Sequence, residues 1–130
     1  MREVIKTDKA AAAIGPYSLA IKTDDYVFLS GQGPRDPQTS LRKGDTIEEQ
    51  TKYVLENVKA VLEAAGASLR DVVQVTVLLS DTANFKGMNE VYKQYFPEGQ
   101  NPPPRMTLGV NLVGPGGLVE MNCIAQVPKK

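Results

Sequence analysis

The sequence predicts an α+β fold in which one mixed sheet carries two helices on the same face. Three observations predict it: a capped amphipathic helix that begins at Thr46, the β-branched run VVQVTVLL from Val72 to Leu79, and the order strand, strand, helix, strand, helix, strand, strand. At 130 residues the chain reads as a single domain spanning 1–130, long enough to bury roughly two thirds of its unfolded surface.

Taken in order, Ser18 to Lys22 and Tyr26 to Ser30 read as strands of a hairpin turned at Thr23-Asp24-Asp25. GQGPRDPQTS then breaks regular structure with glycine and proline. Thr46-Ile47-Glu48-Glu49 has the form of a capping box, the threonine hydroxyl and Glu49 satisfying backbone donors. Ile47, Val54, Leu55, Val58, Val61 and Leu62 follow at helical spacing, and Gly66 stands where a left-handed stop belongs. Val72 to Leu79 reads as a central strand with apolar residues on both faces. Phe85, Met88, Tyr92, Tyr95 and Phe96 form the stripe of a second helix, which Pro97 ends.

The last stretch, NPPPRMTLGVNLVGPGGLVEMNCIAQV, carries the chemistry. With period two, Leu108, Val110 and Leu112 line one face of a strand while Arg105, Thr107, Gly109 and Asn111 take the other. In the next strand Val119, Met121, Cys123, Ala125 and Val127 are apolar and Glu120, Asn122 and Gln126 oppose them. If both apolar faces meet one core, Arg105 and Glu120 emerge on the same side of the sheet. GPGG at Gly114 to Gly117 reads as the hairpin connection between these strands, with no Walker lysine after it. GQG at Gly31 to Gly33 opens no helix and is not a dinucleotide fingerprint.

Two helices cover one side of a sheet only. The far side would hold Val72, Leu78, Tyr26, Phe28, Leu118 and Ile124, more apolar surface than a monomer normally exposes. A homo-oligomer packed through these faces is the simplest solution, with Arg105 and Glu120 at or near a subunit junction.

Fifteen basic and fifteen acidic residues cancel, so no net field draws in nucleic acid or anionic lipid. The chain has no histidine, which removes Ser-His and Cys-His pairs and nearly all zinc-site patterns. Acid–base chemistry must then rest on carboxylates, tyrosine, lysine, water or backbone. Cys123, the lone cysteine, reads as a packed, inert thiol in a reducing compartment. With no transmembrane-length apolar run and no secretory segment, the expectation is a cytoplasmic protein without membrane contact. Lys129-Lys130 reads as a solvated tail.

The blocks AIGPYS (Ala13–Ser18), LSGQ (Leu29–Gln32), EEQTKYVLENVKAVLEAAG (Glu48–Gly66), VVQVTVLLSD (Val72–Asp81), FKGMNEVYKQYF (Phe85–Phe96), NPPPR ending at Arg105 and LVEMNCIA (Leu118–Ala125) stand in the order found in the Rid (YjgF-like) family. Over essentially its full length the chain resembles those proteins. The resemblance implies a chorismate-mutase-like fold, a homotrimer with clefts between subunits, and hydrolysis of 2-imino acids or their enamine tautomers to 2-keto acids and ammonia. It implies Arg105 as the grip on the substrate carboxylate and Glu120 as the group that activates water and shuttles a proton. It also implies Tyr17, Ser30, Gly31 and Thr107 as cleft-lining positions, with no metal or organic cofactor. Asn89 matches a helix position whose role the sequence does not assign. Gly33, Pro104, Gly109 and Asn122 depart from the family's usual residues and bear on substrate range. Two other readings stand beside it: a non-catalytic sensor or scaffold that binds a small carboxylate through Arg105 in the same cleft, and an RNA-directed ribonuclease or translation-inhibitor activity that the balanced charge, the absence of histidine and the few aromatics disfavour.

Overall fold

The structure, a computed structural model, describes residues 1–129. Six strands form one sheet: β1 (Glu3–Ile5), β2 (Ala20–Lys22), β3 (Tyr26–Leu29), β4 (Val72–Leu79), β5 (Arg105–Gly109) and β6 (Val119–Gln126). Two α-helices, α1 (Ile47–Ala64) and α2 (Phe85–Tyr95), lie between β3 and β5 in the chain. The strand order is β1-β2-β3-β6-β4-β5, with β4 and β5 parallel and every other pair antiparallel. The predicted α+β layout, mixed sheet and pair of helices are therefore present. β1 is an addition, pairing Glu3 with Lys22 and Ile5 with Ala20; Lys130 of the expected tail lies outside the described residues.

Helix α1 forms where its signals place it. Thr46 Oγ1 accepts from Glu49 N at 3.1 Å and Glu49 Oε1 accepts from Thr46 N at 3.1 Å. At the other end Gly66 adopts φ +81°, Gly66 N donates to Glu63 O at 3.0 Å and Ala67 N to Leu62 O at 2.9 Å, a complete Schellman stop. Val54, Leu55, Val58, Val61 and Leu62 are buried against β6 and α2 together with Val75, Val77, Leu79, Met88, Val119, Met121, Cys123 and Ala125. The β2–β3 hairpin turns at Thr23, whose backbone N and hydroxyl both donate to Tyr26 O.

Three expectations are overturned. The register shift between Val72 and Gln74 turns Val72 into the core at 7% exposure instead of onto the open face; Leu118 is likewise partly buried against the core. GPGG is not a hairpin, because β4 lies between β5 and β6. The segment is a crossing loop with a local turn from Gly117 N to Gly114 O at 3.2 Å. Finally, β5 is turned over relative to the reading of its apolar residues. Arg105, Thr107 and Gly109 align with the core residues Val75, Val77 and Leu79, whereas Met106 and Leu108 are exposed on the open face at 53% and 41%. Glu120 aligns with Leu78 on that open face. Arg105 and Glu120 thus occupy opposite faces of the sheet.

Of the residues expected on the open face, Tyr26, Phe28, Leu78 and Ile124 are there, and Met106 and Leu108 join them. Tyr26 and Phe28 are each 44% exposed with ring centroids 6.2 Å apart; Ile124, paired with Phe28, and Leu78, paired with Glu120 further along β6, are half-buried on the same face.

Candidate functional site

On the helix side, α2 builds a seat for Arg105. Phe85, Asn89 and Tyr92 share one helical stripe above the strand. Arg105 Nη1 donates to Asn89 Oδ1 at 2.7 Å, and its guanidinium carbon stands 4.6 Å from the Tyr92 ring centroid and 5.6 Å from that of Phe85. Both contacts fall in cation–π range. Arg105 forms no ion pair among the described residues, so part of its planar fork remains available to an anion. Thr107, half-buried, follows on the same face. The Tyr92 hydroxyl is buried without a hydrogen-bond partner, and burial pushes its pKa up to about 12, with the charge of Arg105 opposing the rise.

On the other side of the sheet, a cleft of about 640 Å³ brings together Tyr17, Ser30, Gly31 and Glu120. Glu120 accepts no side-chain hydrogen bond and forms no ion pair among the described residues. Its carboxylate lies directly over Gly31: a Cβ there would collide with Glu120 Oε2 and stand 3.0 Å from Cδ. Gly31 is therefore a close-approach position. The Tyr17 hydroxyl accepts from Ile14 N at 3.3 Å and closes its own loop. The Ser30 hydroxyl donates to Leu19 O at 3.1 Å and accepts from the buried Gln32 at 3.4 Å, so it braces the floor of the cleft.

The cleft loops hang from two buried amides of α1 that the sequence reading passed over. Asn57 accepts from Ala11 N at 3.1 Å and donates to Gly33 O at 3.3 Å and Arg35 O at 2.8 Å. Gln50 donates to Gly44 O and Gly116 O, both at 3.1 Å, and accepts from Leu118 N at 2.7 Å. Their signal was present: polar residues at 50 and 57 fall on the apolar stripe set by Ile47, Val54, Val58 and Val61.

The predicted residues therefore divide into two groups, Arg105 with Thr107 and Tyr17 with Ser30, Gly31 and Glu120. Pairing places Arg105 beside Val75 and Glu120 beside Leu78, two strands apart. Their Cα atoms are then separated by roughly 14 Å on opposite faces, too far for one small molecule to touch both within a chain.

A single sheet backed by two helices, with an arginine free of ion pairs on one face and an unbonded carboxylate on the other among the described residues, defines a small α+β protein. The chain belongs to the Rid (YjgF-like) family: the family model described as Endoribonuclease L-PSP matches residues 7–127. A RutC family protein of Pyrococcus abyssi is 53% identical over 125 residues, 95% of this chain and 96% of that protein. The 2-iminobutanoate/2-iminopropanoate deaminase of Bos taurus is 41% identical over 96% of this chain and 90% of its own length. Reactive Intermediate Deaminase A, chloroplastic, of Arabidopsis thaliana is 43% identical over 95% of this chain and 65% of its own. Among solved structures, E. coli TdcF with bound serine superposes with a TM-score of 0.89 at 39% identity, covering 98% of this chain and 99% of that one. Among the described residues, no helix is long and apolar enough to cross a membrane.

Proposed function

We propose that the protein is a cytoplasmic 2-imino acid deaminase, acting on substrates such as 2-iminobutanoate and 2-iminopropanoate in clefts between copies of the chain. The observation that carries this reading is the division of the site. Each face offers what the other lacks, and the exposed apolar face supplies a reason for copies to pack. Three copies per assembly follows from the family resemblance. In each cleft Arg105 of one copy grips the substrate carboxylate through parallel charge-assisted bonds, and Thr107 lines the same wall. Glu120 of a neighbour, above Gly31, takes a proton from water as its oxygen adds to the imine carbon. Glu120 returns that proton to nitrogen, giving a carbinolamine; it then takes the proton of the new hydroxyl and passes it to the same nitrogen as the carbonyl forms and the C–N bond breaks, releasing ammonia and the 2-keto acid. Tyr17 and Ser30 shape the pocket around these atoms. No step calls for a metal or an organic cofactor.

The test is imine clearance. An amino-acid oxidase generates imines in the presence of semicarbazide, and semicarbazone formation is followed with wild type, Arg105→Ala and Glu120→Gln. Wild type should suppress the signal, and both variants should fail while remaining folded oligomers; Arg105→Ala should lose about 10- to 150-fold, the equivalent of a 1.5–3 kcal/mol charged contact. A fully active Arg105→Ala would remove its assigned role. Ligand binding without turnover, indifferent to Glu120→Gln, would favour a carboxylate sensor instead.

A further inference from the structure

The cleft that holds Glu120 also contains two arginines that the proposed reaction does not use. Arg35 and Arg42 oppose one another across an isolated antiparallel bridge and line the same cleft. Their loop is closed by Asp36 N to Leu41 O at 2.9 Å and Lys43 N to Pro34 O at 2.8 Å. Directly opposed residues project to the same side, where like charges destabilise the pairing. Yet neither guanidinium forms an ion pair among the described residues, with Glu120 or any other carboxylate. Arg35 donates from Nη2 to Ala12 O at 2.6 Å and from Nη1 to Ser40 O at 3.5 Å; Arg42 donates from Nη1 to Gly44 O at 2.8 Å. A guanidinium carries five donors, so Arg42 in particular keeps most of its fork. The crossing loop makes room for it: Gly116 sits at φ +76°, and a Cβ there would stand 2.7 Å from Arg42 Nε. Two opposed cations, without a counter-ion among the described residues, thus line a cleft open to a small molecule.

We infer that the Arg35–Arg42 pair is a specificity element that receives a second acidic group on the substrate side chain. The favoured substrates are then the 2-imino acids of dicarboxylic amino acids. This rests on the deaminase reading, in which Arg105 already takes the carboxylate next to the imine. The chemistry is unchanged: water forms the C–O bond, the C–N bond breaks and ammonia leaves.

The experiment compares kcat/KM for the imines that oxidases release from glutamate and from 2-aminobutanoate, in wild type, Arg35→Gln/Arg42→Gln and Arg35→Lys/Arg42→Lys. Calorimetric binding of 2-oxoglutarate and 2-oxobutanoate runs beside it. Wild type should prefer the acidic imine, and the double glutamine variant should lower the acidic-to-neutral ratio about ten- to a hundredfold, the range of a charged contact. The lysine variant should recover part of the ratio, which a merely misfolded loop would not do. Clearance of the neutral imine with no preference for the acidic one overturns the inference and leaves the deaminase reading standing, as does a glutamine variant that loses both substrates in proportion. If neither imine is cleared, the deaminase reading fails. The arginine pair is then judged by binding alone: 2-oxoglutarate held more tightly than 2-oxobutanoate, and weakened by the glutamine variant, supports it, and equal or absent binding overturns it.

Discussion

Arg105 and Glu120 are both charged residues on strands flanking β4, yet the fold treats them in opposite ways. Arg105 is fixed before any ligand arrives, hydrogen-bonded to Asn89 and seated between the rings of Phe85 and Tyr92. Glu120 is held by shape alone, its carboxylate resting over a glycine and accepting no side-chain hydrogen bond among the described residues. The difference suits the proposed roles. A grip gains from being set in advance, because less freedom is lost on binding. A proton shuttle must address water at one moment and nitrogen at the next, and a tightly bonded carboxylate would be slow to do both.

The sharpest way to break this comparison is to separate the two residues genetically. If each cleft draws Arg105 and Glu120 from different copies, co-expressing Arg105→Ala with Glu120→Gln should restore activity that neither variant has. With equal random mixing about a quarter of the clefts would be intact, read as imine clearance by the mixed oligomer. No restoration would place both residues in one chain's site and contradict the division.

Gly31→Ala addresses the shape-held partner. The new methyl group displaces the Glu120 carboxylate, the mobile end of a side chain, so the fold should tolerate it. Activity should fall on the order of a hundredfold, as a displacement of about 1 Å does, with the melting temperature nearly unchanged. Asn89→Ala addresses the preset partner. Releasing one anchor of Arg105 should cost about tenfold in kcat/KM, chiefly through KM, because the two rings still hold the guanidinium.

The smallest effect concerns stability at high pH. Burial raises Tyr92 from 10.0 to about 12 and Cys123 from 9.0 to about 12. In each case the folded state keeps a proton that the unfolded state gives up. Their contribution is therefore complete below about pH 9 and is lost as pH rises towards 12. Tyr92→Phe removes one of these groups along with an unpartnered buried hydroxyl. It should flatten the alkaline limb of the stability curve in denaturant titrations and leave stability at neutral pH nearly unaltered.

How much of this was legible depended on whether the governing forces were local. Helix α1 is written in its own residues: the Thr46–Glu49 box, the apolar stripe and Gly66 act within a turn of each other, and all three appear as read. The facing of β5 is decided elsewhere. Alternation sorted Arg105 from Leu108 correctly, but which set meets the core depends on α2, whose Asn89, Phe85 and Tyr92 offer a cation a better seat than water. The supposed GPGG hairpin failed for a related reason, since nearness in sequence does not reveal that β4 will take the place between β5 and β6. Val72 was misplaced by a single bulge, which reverses facing at one step. Of the residues named for the site, Tyr17, Ser30, Gly31 and Glu120 do line one cleft, while Arg105 and Thr107 lie on the other face. Their partition between two faces was not legible, because it follows from strand order.

Strand order has one more consequence, for how the molecule comes into being. β6 runs through the middle of the sheet, joining β3 on one side to β4 on the other, and it follows in the chain every other strand among the described residues. A nascent chain emerging from a ribosome can complete α1 early, but until Val119 to Gln126 is available it holds two half-sheets with no shared edge. Both halves then present open backbone to other chains. The slow step of maturation should be the late threading of that final strand, a stage at which crowded polysomes and chaperones compete for the same edges.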